Sequence, residues 1–600
     1  MVASDKRFFM GIMVLGIAYY YKSTYSQRLD GPVVNTRYGQ LKGIRSESRQ
    51  GRSFYEFLGI AFAKAPVGPL RFEPPQPPVR WEGVRDASRY GSQCLQLEML
   101  LGLILGDEDC LFLNVFSPKI PSLDNDSDLP DAGHDDGKLL PVMLYIHGGL
   151  FINGGSDLWR PTYFMDEDVL LVTINYRLAA LGFLSTGDGL IRGNMALKDQ
   201  SMALRWVHEN IKAFGGDPDQ ITVFGESAGG VGAHFQMLSP MSKGLFSRVI
   251  SQSGSAFHFW SINHEPRQQS LRLGKLLGCP TEDMKEMVQC LKNLEASAIV
   301  DIHREIMDPL RDHVTIYKPV VEAVEDEHTF ISKLPHEIVA SGNYSKVPWI
   351  AGINSDEGLI TAAAIMANKT MTDLAQHEWN EFVRKLLVFH KDDGAAHKIR
   401  DFYFENKSDI TTFDNLHSYA KMISDRGFFA DIHHGAKLQT KSSPVYLYYY
   451  SYPGEWTVAN LFMEVRGTLP RLMEAGWAIL SSCNSWLHNW INKTLLGRTL
   501  PNYGASHSDE LALLFQMPWI SDVFEDSRDY TMSLDLVKLW VSFAKQMEGM
   551  DLQFRNATWN RANFSNRTLT YLNIDAKPKM IEEPFTKRIK FWDSLNLTNA

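Results

Sequence analysis

Ile221-Thr222-Val223-Phe224-Gly225-Glu226-Ser227-Ala228-Gly229 is the stretch that decides the fold. Its first four residues read as a short buried strand, the pattern G-x-S-x-G follows at once, and Gly230 to Leu238 can open a helix. A serine between strand and helix stands at the apex of a strained turn, its hydroxyl clear of the backbone. Small residues flank it because a bulky side chain would clash in that turn. Five residues recur by chance in long chains, so the reading depends on what lies on either side.

Strand-like and helix-like segments alternate in both directions from that point. Val142–Ile146, Val169–Tyr176, Val249–Ser253, Val347–Gly352 and Val445–Tyr450 are short apolar runs rich in Val, Ile and Tyr. Such runs suit strands buried on both faces. Met195–Phe214 carries Ala203, Leu204, Val207 and Ile211 at helical spacing and stops at Gly215-Gly216-Asp217-Pro218. The expected class is α/β, a large, mostly parallel, twisted central sheet with helices on both faces. Ligand sites in such sheets lie beyond the carboxyl ends of the strands, where Ser227 stands.

Three further segments could build a site around that serine. After strand Val142–Ile146 come His147-Gly148-Gly149-Leu150-Phe151 and Gly154-Gly155. Glycines let a backbone approach a substrate carbonyl, so N–H groups of Gly148, Gly149 and Leu150, with that of Ala228, could hold a developing oxyanion. Near the far end, the loop Gly504-Ala505-Ser506-His507-Ser508-Asp509-Glu510 offers a general base, His507. Between serine and histidine, the turn Asn354-Ser355-Asp356-Glu357-Gly358 offers an orienting acid. Asp356 and Glu357 cannot both point inward, and spacing does not choose between them. The chain order serine, acid, histidine is that of α/β-hydrolases.

The 600-residue chain has 44% apolar and 12% aromatic residues, enough for a large core. No Pro/Ser-rich or charged linker divides it, so 30–594 reads as one domain. Its net charge of −10 speaks against nucleic acid as a partner. Asp124 to Asp136 is an acidic run that reads as a solvated loop. Lys6-Arg7 precede an apolar run from Phe8 to Tyr21, short for a bilayer span of about 20 residues but suited to a signal peptide over 1–25. An uncleaved anchor is the alternative. Nine N-x-S/T sequons, at Asn125, Asn343, Asn368, Asn406, Asn492, Asn556, Asn563, Asn566 and Asn596, fit a secreted, extracellular glycoprotein. Of five cysteines, Cys94 and Cys110 bound one short loop, Cys279 and Cys290 another, and Cys483 is left over.

From about Gly31 to Asp593 the chain resembles the type B carboxylesterases of the cholinesterase-like α/β-hydrolase family, and most of all insect secreted carboxylesterases. The shared landmarks are Phe57-Leu58-Gly59-Ile60, Leu70-Arg71-Phe72, Glu108 through Val115, Asn175-Tyr176-Arg177, Leu197-Lys198-Asp199-Gln200, the elbow around Ser227, and Asp356-Glu357-Gly358. Ser239 to Gly244 and Ser251 to Phe257 extend the match. The resemblance implies a serine ester hydrolase acting on small lipophilic esters without cofactor or metal, with Ser227, Glu357 and His507 catalytic. It also implies disulfides Cys94–Cys110 and Cys279–Cys290, and ion pairs Arg71–Glu108 and Arg177–Asp199.

Four departures narrow that expectation. Leu95 to Asp109 contains no aromatic residue, so the tryptophan over which cholinesterases seat a cation has no counterpart. The loop is instead rich in Leu and reads as an apolar rim. Glu226 stands where juvenile hormone esterases of the family usually have Gln, which turns the reading away from a juvenile hormone esterase-like hydrolase. Leu150 stands where the family usually has a third oxyanion glycine, so its side chain is expected to narrow the acyl pocket or shift the loop. Leu469 to Leu496 looks like an inserted helix, with Met473, Trp477, Leu480, Leu487 and Ile491 at helical spacing. Membrane association would run through that segment or the N-terminus. The remaining alternatives are a juvenile hormone esterase-like hydrolase, a slow-releasing scavenger and a silent adhesion member of the family.

Overall fold

The computed structural model describes residues 29–98, 102–121, 138–306, 317–389, 394–405, 407–459, 503–518, 520, 522–546, 551–562 and 568–597. The segment 1–25, the acidic run, the expected insertion 469–496, Cys483, Asn125, Asn406, Asn492, Asn563 and Asn566 lie outside those residues.

The main sheet is built from β1 (Leu29–Asn35), β2 (Gln40–Glu47), β3 (Ser53–Ala61), β4 (Val84–Asp86), β5 (Phe112–Ser117), β6 (Leu140–Ile146), β7 (Leu170–Ile174), β8 (Gly216–Glu226), β9 (Arg248–Gln252), β10 (Trp349–Asn354), β11 (Val445–Tyr450), β12 (Thr570–Ile574) and β13 (Lys579–Glu582). Their spatial order is β1-β2-β3-β5-β7-β6-β8-β9-β10-β11-β12-β13, with β4 beside β2. From β7 to β12 every pairing is parallel, as the buried apolar runs lead one to expect. The edges differ: β1, β2, β3, β5 and β7 pair antiparallel in succession, and β13 closes the other edge antiparallel to β12. The sheet is therefore mixed, with a parallel centre.

Helices cover both faces. They include α1 (Met195–Asn210), α2 (Ala228–Leu238), α3 (Leu416–Ser424), α4 (Ala430–Gln439) and α5 (Tyr530–Lys545). The two-residue period of a strand divides the core between them. Val142, Leu144 and Ile146 of β6 pack with Leu197 and Leu204 of α1 and Val231 of α2. Met143 and Tyr145, one residue out of step, pack with Leu536 and Trp540 of α5 on the opposite face. Each such side chain, wholly buried, stabilises the fold by about 1.5–3 kcal/mol. The expected helix Met195–Phe214 divides into α1 and a tighter turn, Ile211–Phe214, which Gly215 ends in the left-handed region (φ 87°). Between α3 and α4 the helix widens into a π turn over Asp425–Phe429. Among the described residues no helix is long and apolar enough to cross a membrane.

Candidate active site

Ser227 follows β8 directly and precedes the first residue of α2. Its backbone sits at φ 56° and ψ −125°, a conformation that few side-chain-bearing residues adopt. Three restraints hold it there. Its N–H donates to Gln252 O at the end of β9 at 2.8 Å, its carbonyl accepts from Val231 N at 2.9 Å, and a glycine follows two residues on because a Cβ at Gly229 would run into Ile146 O. The hydroxyl thus projects at the N-terminus of an eleven-residue helix, whose dipole favours negative charge on an attacking oxygen.

The end of β6 supplies the second wall. Gly148 lies against the elbow so closely that a Cβ on it would fall 3.2 Å from Ser227 Cβ. Gly149, Leu150 and Phe151 then all take positive φ, at 108°, 57° and 63°. Leu150 therefore holds a left-handed turn without the freedom of glycine, at a strain of about 1–2 kcal/mol. Two devices support the loop. Tyr176 donates to His147 O at 2.7 Å with the two rings stacked, and Gln96 clamps Gly154 through both its backbone groups, at 2.7 and 2.8 Å. Gln96 belongs to the loop that the Cys94–Cys110 disulfide closes, so that bridge steadies the glycine turn. Burial brings His147 down to about 4, leaving it a neutral spacer. Ala228, opening α2, has one of the N–H groups that no intrahelical carbonyl can satisfy.

The acid turn and the histidine loop meet through their backbones. Asp356 N–H donates to Ala505 O at 2.9 Å, and Asp356 pairs with Ser506 as a parallel bridge. That pairing turns Asp356 away, towards Ser355 Oγ and Gly504, and turns the next residue inward. Glu357 Oε2 accepts from His507 Nδ1 at 2.6 Å. Its other oxygen accepts from Ser253 Oγ at 2.5 Å and Asn354 N at 2.8 Å. Asp509, the third acid in reach by sequence, accepts instead from Ser506 N and Val458 N, both at 2.7 Å, and so shapes the loop.

His507 Nε2 lies 3.2 Å from Glu226 Oε1, which also accepts from Ser508 Oγ at 2.6 Å. Since Glu226 immediately precedes Ser227, this end of the ring sits at the elbow. Burial works against charge on the imidazole, but Glu226 and Glu357 outweigh it and raise His507 to about 9. Glu226 is pushed up to about 7 by burial, which the imidazole opposes and Glu510 reinforces. Each of the two groups favours the charged form of the other. Behind them Glu510 accepts from Asn354 Nδ2 at 2.6 Å and from Gln252 Nε2 at 2.9 Å, and burial raises it too.

Sequence reading singled out Ser227, Glu357, His507, Gly148, Gly149, Leu150 and Ala228, and the fold brings all of them to the carboxyl ends of β6, β8 and β10. It did not find Ser253 or Ser508, whose hydroxyls bind the two carboxylates, nor Phe428 of the π turn, whose ring lies 5.1 Å from that of His507. The disulfides join Cys94 to Cys110 and Cys279 to Cys290. Arg71 is bidentate to Glu108 (2.7 and 2.6 Å), and Arg177 to Asp199 (2.8 and 2.7 Å). Both pairs are largely buried. In the Leu95–Asp109 loop Leu95 is buried while Leu103 and Leu105 are exposed, so the expected rim is half packing and half surface.

A sequence profile described as "Carboxylesterase family" matches residues 30–592. Venom carboxylesterase-6 of Apis mellifera is 35% identical over 90% of this chain and 90% of its own. Juvenile hormone esterase of Tribolium castaneum is 32% identical, over 89% and 86%. A crystal structure of juvenile hormone esterase from Manduca sexta, with OTFP covalently attached, superposes at a TM-score of 0.75 and 25% identity, covering 94% of this chain and 99% of that one. The fold, the span of the profile match and these relatives agree: the chain belongs to the carboxylesterase family and is a carboxylic ester hydrolase on the α/β-hydrolase fold.

Proposed function

We propose that Ser227, His507 and Glu357 hydrolyse apolar carboxylic esters through an acyl-serine intermediate. The observation that carries this is the 2.6 Å contact of His507 Nδ1 with a buried Glu357, which fixes the tautomer and presents Nε2 at the serine elbow. Ser227 Oγ attacks the ester carbonyl while Nε2 takes its proton. The oxyanion is held by N–H groups of the Gly148-Gly149-Leu150 turn and of Ala228. His507 passes the proton to the departing alcohol, then activates the water that releases the acid. Glu226 and Glu357 stabilise the imidazolium present between those steps.

The apolar preference rests on Phe428 beside the imidazole and on exposed Leu103 and Leu105 at the disulfide loop. Residues 30–594 act as one catalytic domain, secreted after loss of the N-terminal segment.

Incubation with short-chain naphthyl and nitrophenyl esters and a fluorophosphonate probe tests the assignment against Ser227→Ala. Turnover should fall by roughly a thousandfold or more and labelling should vanish. Labelling that survives Ser227→Ala would place the nucleophile elsewhere.

A further inference from the structure

One phenyl ring separates His507 from a second imidazole. Phe428 lies 5.1 Å from the His507 ring and, edge-on, 5.6 Å from that of His258. His258 stacks on Trp260 at 4.8 Å, and the indole N–H donates to Gly427 O of the π turn at 2.8 Å. The side chain of His258 is entirely buried, yet neither ring nitrogen has a hydrogen-bond partner among the described residues. Asp431 Oδ2 stands 3.8 Å from Nδ1, beyond hydrogen-bonding reach, and already accepts from Phe259 N at 2.9 Å.

Stacking alone does not call for this residue. Phenylalanine would cover Trp260 as well, without burying two unpaired nitrogens. Gly427 of the π turn is buried, and a Cβ added there would meet nothing outside its own helical turn within 4 Å. The same turn also presents Phe428 to His507. Apolar walls and a buried, unsatisfied polar side chain one ring away from the general base suit a mostly apolar chain that carries one oxygen.

We propose that His258 is a specificity-determining residue of the ester site, donating a ring N–H to a ketone, hydroxyl or ether oxygen borne by an otherwise apolar substrate away from the scissile carbonyl. This rests on the ester-hydrolase reading of Ser227. A plain alkyl chain would leave both ring nitrogens of His258 unpaired in the complex, whereas the oxygen-bearing chain pairs the N–H, and the difference amounts to about tenfold.

The test compares kcat/KM for matched esters: nitrophenyl octanoate against keto-octanoates of equal length, and octyl butyrate against its keto-octyl analogues. In the wild type at least one ketone ester should exceed its plain partner about tenfold. In His258→Phe that ratio should fall to parity while the plain ester is turned over at least as fast. His258→Gln, which keeps an N–H donor, should recover part of it. Parity for every pair in the wild type overturns the proposal whether or not the variants fold, and so does a preference that survives His258→Phe. If the wild type hydrolyses neither member in a Ser227-dependent manner, the assignment of the nucleophile fails first and the subsite falls with it.

Discussion

Glu226 Oε1 stands 3.2 Å from His507 Nε2, so the imidazole has a carboxylate at each nitrogen. The sign of the resulting shift is upward: negative charge on either side favours imidazolium, and His507 lies above its ordinary range. A general base works only when unprotonated. The acid limb of kcat/KM should therefore sit on the alkaline side of a free histidine. Glu226→Gln removes one of the two carboxylates at nearly constant shape, lowers the histidine's pKa, and should move that limb to lower pH by about one unit. A limb that stays in place would mean that Glu226 does not act on the imidazole.

Leu150 is the second point of leverage. Its positive φ costs about 1–2 kcal/mol, and its half-buried side chain packs against the core beside the oxyanion turn. Leu150→Gly relieves the first and loses the second, so the thermal midpoint should change little. Substrate range should change more. The kcat/KM for a nitrophenyl pivalate, relative to acetate, is expected to rise several-fold as the wall recedes. A constant ratio would show that this side chain does not border the acyl group.

Asn343, Asn368, Asn556 and Asn596 are exposed, each at a turn or an element end where a glycan can project. Asn368 also caps the helix Lys369–His377, through Oδ1 to Met371 N at 3.3 Å, an interaction that leaves its Nδ2 for the sugar. Protein recovered from the medium of insect cells should lose mass on glycosidase treatment, with Asn converted to Asp at these positions. Unmodified asparagine at all four would contradict passage through the secretory pathway.

How far the sequence reached depends on whether chemistry or geometry fixed the residue. The elbow was legible because a strand, a small-residue turn and a helix each leave a local mark, and its strand was found within a few residues. Asp356 and Glu357 were not separable by spacing. Only the backbone bond from Asp356 N to Ala505 O decides which faces His507, and a pairing 149 positions away leaves no local trace. The antiparallel edge went unread although β2 and β3 flank a turn with Gly51 at φ 81°, a hairpin signal within reach of period-two reasoning. The π turn had no signal: one residue too many in a helix looks like helix.

The nucleophile's backbone is fixed by the sheet and by α2, whereas Leu150, His258 and the Cys94–Cys110 loop come from connections between elements, and Phe428 from the π turn of a helix outside the sheet. The position of the nucleophile is thereby set apart from the surfaces that meet the substrate. Single side chains on those surfaces could be exchanged to retarget the enzyme, with the serine staying where two neighbouring strands put it: a chassis with replaceable fittings.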